Sequence, residues 1–368
     1  MLFRSNSFTV TVKSGKHNGF VVSNPESVAV ENAIGIYTEE QLQEIIDEPT
    51  RSYILANNID LSSSFRAIGV VTKYFSGTFN GNGKIINFGD HSIEIIQENP
   101  LGTTSYIGLF SNIEGGEVKN LILKGKIQAD ISTGIAENNS VNIGAVAGEN
   151  NNGIIKNVAS SVELSITTKG KIYTKLGGIA GYNRSTSAAK GIINCYSTGN
   201  VSITSTEQLA IVSAGGLVGE NPGNISYSFS SNNVTNVATE QVYTIQQNAG
   251  GISGSAVSSA KIENCAVVDS VISTNSTSAS MGRITSGTYG TYTDNYVSSA
   301  VKMYDADGLK NPPPSNANNN NGAVFTDTTQ AGWNGSGTPN WTINFPGTAN
   351  EASPWVWGDN QPALWFED

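Results

Sequence analysis

The chain has 368 residues, of which 40 are glycine and only 14% are charged, so Ser, Thr and Asn carry much of its polarity and favour turns and strands over helices. Its formal charge of -10, with only 20 Lys and Arg, argues against a nucleic-acid partner or an anionic membrane surface, because both need clustered positive charge. No apolar stretch is long enough to insert into a bilayer, and the length allows two domains or one elongated stack.

The N-terminal segment, 1–35, has the pattern of a hairpin. Apolar residues alternate from Phe8 to Val12 and recur from Phe20 to Val22, with Asn18-Gly19 as a turn signal between them. We predict an arm that docks another subunit, giving a homo-oligomer or an assembly, with a loose terminal arm as the alternative. The first residues lack the pattern of a secretory signal, so we expect a trimmed mature form or a protein released by lysis.

A short helix follows this arm. Thr38-Glu39-Glu40-Gln41 has the form of a capping box and predicts a helix through about Ile46, with Leu42, Ile45 and Ile46 on one face, before Pro49. We interpret this helix as the N-terminal cap of the structure that follows.

Six imperfect repeats occupy the middle of the chain, with three markers in each. A glycine-rich block has its apolar centre at Leu109, Val146, Ile179, Leu217, Ile252 and Ile284. An Asn follows at Asn120, Asn157, Asn194, Asn264 and Asn295, and Tyr227 takes this place in the fourth repeat. A third, apolar marker lies at Ile127, Leu164, Val201, Val234, Val271 and Val301.

The three markers predict three short strands in each turn of a solenoid. Such strands cannot bury an apolar face alone, so successive coils stack roughly 4.8 Å apart and share one core. The sequence therefore predicts an all-β chain, a right-handed parallel β-helix over 36–310 with the capping helix at its start. Glycines beside the apolar centre are expected to adopt φ angles that other residues resist, and the Asn side chains to bond to each other from coil to coil.

Several segments resemble the GLUG-motif repeats of bacterial surface proteins. They are Gly215-Gly216-Leu217-Val218-Gly219-Glu220-Asn221, Gly177-Gly178-Ile179-Ala180-Gly181-Tyr182-Asn183 and the strands after them, together with the upstream 53–61 and 75–86. The resemblance covers roughly 36–368. It implies a β-helix displayed on a surface, often for adhesion, and it brings no catalytic residues.

The C-terminal segment, 311–368, begins with an Asn/Pro-rich loop and continues into a Trp-rich tail. We expect the tail to cap the helix by folding back over its last coil. The two cysteines, Cys195 and Cys265, fall two coils apart, which is too far for a disulfide, so we predict two free thiols.

Few residues are candidates for chemistry. Glu149 and Glu220, with Tyr182 between them, would lie on stacked coils about 10 Å apart, near the wide limit for an inverting glycosidase, although solvated turn residues are the plainer interpretation. His17 and His91 are far apart, and Asp305-Ala306-Asp307-Gly308 lacks the later ligands of a calcium loop. We therefore predict no catalytic residue, no metal site and no cofactor, and the binding residues stay open.

The functional hypothesis is a non-catalytic attachment module, extracellular or at the cell surface, that binds a glycan or a protein receptor. The alternatives are a structural phage virion protein, such as a tail fibre, spike or head decoration, and, less favoured, a polysaccharide depolymerase on the same fold.

Overall fold

The computed structural model describes 16–17, 20–21, 33–69, 73–94, 104–131, 139–169, 172–206, 211–239, 246–310, 316–335, 338–345 and 347–367. In the N-terminal arm, the backbone of Lys16–His17 pairs antiparallel with that of Phe20–Val21. The other predicted strand of this arm, Phe8 to Val12, lies outside the described residues.

The first coils contain the predicted cap. Strand Ile34–Ile36 leads into an α-helix, Glu39–Gln43, and a 3₁₀ turn, Glu44–Ile46. The Thr38 side chain accepts a hydrogen bond from the Gln41 backbone N–H at 3.4 Å, and the Gln41 side chain accepts one from the N–H of Tyr37. Leu42 and Ile45 are fully buried, while Ile46 is only partly buried.

The chain then winds into stacked coils with three faces, and almost all strands pair in parallel. The first sheet runs in the order Ser280–Gly282, Gln246–Gly250, Ile211–Gly215, Tyr173–Gly177, Ser140–Gly144 and Thr104–Ile107. The second sheet runs Ser253–Ala256, Val218–Asn221, Ala180–Arg184, Ala147–Asn151 and Phe110–Glu114.

The third face carries up to three strand segments in each coil. In chain order these are Ser52–Leu55 and Ile59–Asp60; Thr78–Asn80 and Ile85–Glu94; Glu117–Ile131; Ile154–Ser160 and Glu163–Thr168; Gly191–Ile193, Tyr196–Ser197 and Val201–Ser205; Asn224–Ser226, Phe229–Ser230 and Val234–Ala238; Lys261–Glu263, Ala266–Val267 and Val271–Thr274; Thr291–Thr293, Tyr296–Ser298 and Lys302–Asp305. The stack continues past residue 310, because Ala323–Phe325 pairs in parallel with Tyr296–Ser298. Gly308–Leu309 turns back antiparallel on Lys302–Asp305.

The parallel β-helix with a short N-terminal helix is thus confirmed. The six apolar centres form one column inside the stack, each fully buried, and the backbone N–H of Ile179 donates to the carbonyl of Leu217 in the next coil at 2.8 Å. A column to which every coil contributes one buried apolar residue is the expected basis of a shared core.

Register differs from the prediction in the last two repeats. Ile272, not Val271, pairs with Val234, and Met303, not Val301, follows in that column. The Asn column ends at Asp294 rather than Asn295, since Asp294 has the positive φ of 50° and the Asn264 N–H donates to the carbonyl just before it. Small differences in loop length place the residues of these two columns one or two positions away from those predicted. The spacing of the sequence pattern alone did not reveal these differences.

Two local predictions were wrong in physical detail. Three of the six repeats, the third to the fifth, have five strand segments and not three, because the third face is divided there into three short strands. The glycines beside the apolar centre do not have positive φ. They are required by close stacking, since a Cβ on Gly216 would lie 2.0 Å from the Gly251 carbonyl oxygen, and one on Gly219 would lie 2.4 Å from the Leu176 nitrogen.

The C-terminal tail packs along the side of the stack and reaches far beyond the last coil. It comprises a short helix, Gln330–Trp333, and an antiparallel pair, Trp355–Trp357 with Pro362–Leu364. Its aromatic side chains cover a column of outward-facing apolar residues on the third face, which we call the outer stripe: Ile85, Ile122, Ala159, Tyr196, Phe229, Ala266 and Tyr296. The protein therefore has a second hydrophobic core outside the coils.

Candidate functional site

A ladder of asparagine side chains runs up one corner of the third face. The Nδ2 atom of Asn194 donates to Oδ1 of Asn157 at 3.2 Å, Asn157 donates to Asn120 at 3.1 Å, and Asn120 donates to Asn80 at 3.3 Å. Asn120, Asn157 and Asn194 have φ near +53°, the left-handed region that Asn tolerates better than most residues. In these coils Asn therefore forms both the corner and the side-chain hydrogen bonds between coils, as predicted.

Tyr227 interrupts this ladder in the next coil. Its φ is 47°, and among the described residues it is the only one at positive φ that is not Gly, Asn or Asp. A bulky side chain in this conformation costs roughly 1–2 kcal/mol. The Oδ1 atom of Asn194 consequently has no amide donor above it, and the Tyr227 side chain remains 45% exposed.

A cavity of about 500 Å³ opens where the ladder stops. Asn194, Tyr227 and Lys156 of the third face line it, together with Trp341 and Trp355 of the tail. Ala189, from the loop that lengthens the third repeat, also lines it. The volume is within the range of about 300–1,000 Å³ that is usual for small-ligand sites.

The cavity combines apolar surface with a small number of hydrogen-bonding groups. Asn194 presents an acceptor and Lys156 an ammonium. The indole N–H of Trp355 is enclosed by protein, with no hydrogen-bond partner among the described residues, and is not presented to the cavity. The indole N–H of Trp341 is already used, since it donates to the Asn264 carbonyl at 3.0 Å. Aromatic rings with a few convergent polar groups bind a ligand that has both apolar faces and hydroxyls.

The tail is anchored beside the cavity by Glu351. This carboxylate lies 3.2 Å from Nζ of Lys119 and accepts a hydrogen bond from Asn120 at 3.4 Å, and its backbone carbonyl accepts one from Asn157. Burial acts to raise the pKa of Glu351, but the hydrogen bonds and positive charges of Lys119 and its neighbours hold it below the usual range. The tail that lines the cavity is therefore tied directly to the ladder.

The structure brings together the three residues of the glycosidase hypothesis. Glu149 pairs in register with Tyr182, and Tyr182 pairs with Glu220, on adjacent strands of the second sheet. Lys175 of the first sheet, however, lies 3.5 Å from a Glu220 oxygen, and its Nζ is 4.0 Å from the centre of the Tyr182 ring. The ammonium thus occupies the ring face on which a sugar would have to stack.

Glu149 is partly buried on this surface, beside two tyrosines and two positively charged residues. Burial raises its pKa, and the hydrogen bond with Tyr106 and the charges of Arg184 and Lys175 offset only part of that effect. Burial also raises the pKa of Tyr106 and of Tyr74, whose rings pack edge to face at 6.4 Å. The group is a partly buried network in which the carboxyl and phenol groups stabilise one another.

The other residues considered for chemistry are neither among the lining residues of the cavity nor in the group of Glu149, Tyr182 and Glu220. His91 pairs through its backbone with Ile127 on the third face, and His17 is in the N-terminal arm. Asp305 lies at a hairpin, where it accepts from the Asp307 N–H and pairs with Lys310, which accounts for this acidic turn without calcium. Cys195 and Cys265 are free and fully buried, as predicted. In the described part of the chain, no three His, Cys, Asp or Glu side chains are placed to share a metal ion.

Comparison with known proteins adds support at the level of the fold. A crystal structure of a Bacteroides ovatus protein, provisionally assigned as an immunoglobulin A1 protease, superposes with a TM-score of 0.64 at 18% identity, covering 91% of this chain and 93% of that one. At this identity the likeness concerns the fold alone. No family model matches the chain, and no curated protein matches it. Over the described residues, no helix has both the length and the apolar character needed to cross a membrane.

The sequence did not identify the cavity, although it carried two signals of it. Tyr227 stands in a column of Asn, and the third repeat contains extra residues before Asn194, which include Ala189. What the sequence could not supply was the position of Trp341 and Trp355, because these residues reach the cavity only through the path of the tail along the third face.

Proposed function

We propose that this protein is a non-catalytic attachment module that binds a glycan in the cavity between the asparagine ladder and the C-terminal tail. The observation that carries the proposal is Tyr227. A strained aromatic residue has replaced the residue type that would extend the ladder, and its ring is half exposed at the edge of a cavity. Backbone strain of this kind is typically retained at functional positions.

The chemistry of the cavity favours a carbohydrate over an apolar ligand. A sugar ring has an apolar face that can pack on the Tyr227 ring, and its hydroxyls can donate to Oδ1 of Asn194. The rod supports the same role, because stacked coils form a rigid element that presents such a site away from an attachment surface. Extracellular or cell-surface display belongs to this proposal.

The test compares binding by the wild type and by Tyr227→Asn on a panel of immobilised glycans. Asn at this position extends the ladder and removes the aromatic platform, so we expect binding to fall at least tenfold while the free energy of unfolding rises by about 1 kcal/mol. Tyr173→Asn is the matched control, because Tyr173 is a comparably exposed tyrosine, at 38%, on the first sheet.

The two variants separate function from folding. Loss of binding in Tyr227→Asn but not in Tyr173→Asn supports the proposal, since the stabilised variant cannot have lost binding by unfolding. A wild-type protein that binds no glycan on the panel, or a Tyr227→Asn variant that binds as well as the wild type, would contradict it.

A further inference from the structure

Two lysines lie side by side on the third face, and one of them lines the cavity. Lys119 and Lys156 are directly paired on neighbouring parallel strands of the third face, at a strand spacing of roughly 4.8 Å. Like charges placed directly opposite each other on a sheet destabilise it unless counter-charges are present.

The direct ion pairs are made by only one of the two lysines, although the charge of Glu351 also acts on Lys156 at longer range. Lys119 lies 3.2 Å from Glu351 and 3.9 Å from Glu117. Among the described residues, no carboxylate lies within 4.0 Å of Nζ of Lys156. Lys156 is one of the residues that line the cavity, so its ammonium is available to a ligand there.

From this asymmetry we infer that the cavity selects a sugar bearing a carboxylate, which pairs with Nζ of Lys156 while the ring packs on Tyr227. The inference rests on the proposed glycan binding and specifies the class of glycan. Lys156 and Tyr227 belong to coils two apart, roughly 9.6 Å by strand spacing, with Asn194 on the coil between them. This separation leaves room for one sugar ring whose acidic group faces Lys156 and whose hydroxyl faces Asn194.

Glu117 also lines the cavity but does not compensate Lys156. Its carboxylate is directed to Lys119, which lies two residues along the same strand, and Lys119 is in turn bound by the tail through Glu351. These three charged groups form one set that holds the tail. An acidic ligand would therefore meet Lys156 as the ammonium of the cavity that has no direct ion-pair partner among the described residues.

The experiment measures the affinity of the full chain for matched pairs of oligosaccharides, each pair consisting of a uronic or sialic acid glycan and the same glycan with its carboxyl reduced to an alcohol. We expect the acidic member to bind about tenfold tighter, the usual effect of one partly desolvated ion pair, and the preference to shrink in high salt. In Lys156→Gln the two members of a pair should bind alike, at the affinity of the reduced glycan.

Lys261→Gln is the control, because Lys261 is an exposed lysine on the same face that does not line the cavity. It should keep the wild-type preference, and melting temperatures confirm that both variants fold. Equal wild-type binding of acidic and reduced glycans overturns the carboxylate inference but leaves the glycan proposal standing. A preference lost equally in both variants also overturns it, because net charge would then be responsible. If the wild type binds neither member of any pair, the proposed function itself fails.

Discussion

Glu149 shows at the residue scale how the rigid surface of a β-helix alters the properties of a side chain. It lies on a strand of the second sheet, where it is partly buried and hydrogen-bonds with Tyr106 of the first sheet. Burial favours the neutral form of a carboxyl, so the pKa of Glu149 is raised in the folded protein. The folded state therefore binds more protons than the unfolded state at pH values between the ordinary pKa and the raised one.

The stability of the protein should consequently fall as pH rises through that window. In Glu149→Gln the titration is removed while an acceptor for the Tyr106 hydroxyl remains, so we expect a higher melting temperature than the wild type at about pH 8 and a difference near zero at about pH 4. Thermal unfolding followed by circular dichroism measures both. Glu163→Gln, at an exposed position on the third face, is the control, and a pH-independent difference for Glu149→Gln would contradict the assignment.

The two cysteines give a second prediction at this scale. Both are fully buried, and burial raises the pKa of each thiol to about 12, so neither the thiolate nor access to it is available in the native protein. Iodoacetamide at about pH 8 should label almost none of the folded protein within an hour and both thiols in ~6 M guanidinium chloride. Rapid labelling of one thiol in the native state would show that its coil opens.

Sequence reasoning worked well for residues that repeat and poorly for those that do not. The buried column that contains Leu217 and the corner that contains Asn194 were predicted from the spacing of the repeats alone. Every coil places the equivalent residue in the same environment. Tyr227 and Lys156, on which the proposals rest, each stand out through a difference between one coil and the next. A pattern that averages over repeats cannot reveal such differences.

At the scale of elements, the tail and the outer stripe depend on each other. The Trp333 side chain is 1% exposed, and its ring centre lies 5.6 Å from that of Phe229 in the stripe and 5.0 Å from that of Trp341. Tyr196 stacks on Phe229 at 4.8 Å, so the stripe is continuous between these coils. The tail thus buries an apolar surface that the coils alone would expose to water.

Trp333→Ala should lower the free energy of unfolding by about 3–5 kcal/mol, because it removes a large side chain from a closely packed site. Denaturant unfolding measures the loss. Trp365→Ala is the comparison, since Trp365 is only partly buried against the same cluster and should cost distinctly less. Equal, small effects of both substitutions would mean that the tail contributes little to the fold.

The path of the tail could not be predicted from the sequence, although its aromatic content suggested a cap. A chain end can cover the last coil or any outward apolar column, and only the three-dimensional register shows that Ile122, Tyr196 and Phe229 form such a column. The strands themselves were easier to predict, because each must match its neighbours above and below. Loop lengths were the weak point, as the shifts at Ile272 and Asp294 show.

At the scale of the whole molecule, the tail changes how the stack should unfold. Coils of a solenoid contact only their neighbours, so such proteins can open from either end. Here Ile85 near the start and Tyr296 near the end both pack against the cluster that the tail completes, so the tail and the stripe together link coils that are not neighbours. This arrangement should make unfolding more cooperative than in an uncovered stack.

A chain ending at residue 325 tests this link. We expect it to bind a hydrophobic dye, to unfold over a broader range of urea, and to lose amide protection first in the strands below the stripe, such as Tyr196–Ser197 and Phe229–Ser230. Hydrogen exchange monitored by mass spectrometry resolves these segments. Unchanged cooperativity after removal of the tail would show that the coils hold together without it.

The side-chain amides of the asparagine ladder are aligned in one direction, so their dipoles reinforce one another. The Nδ2 atoms of Asn120, Asn157 and Asn194 each donate to the asparagine of the preceding coil, ending at Oδ1 of Asn80, so the side-chain dipoles add along the row and each polarises the next. The carbonyl oxygen at its upper end is therefore more basic than that of an isolated amide. In the proposed glycan site, the strength of a hydrogen bond from a sugar hydroxyl to Asn194 would then depend in part on an asparagine three coils away.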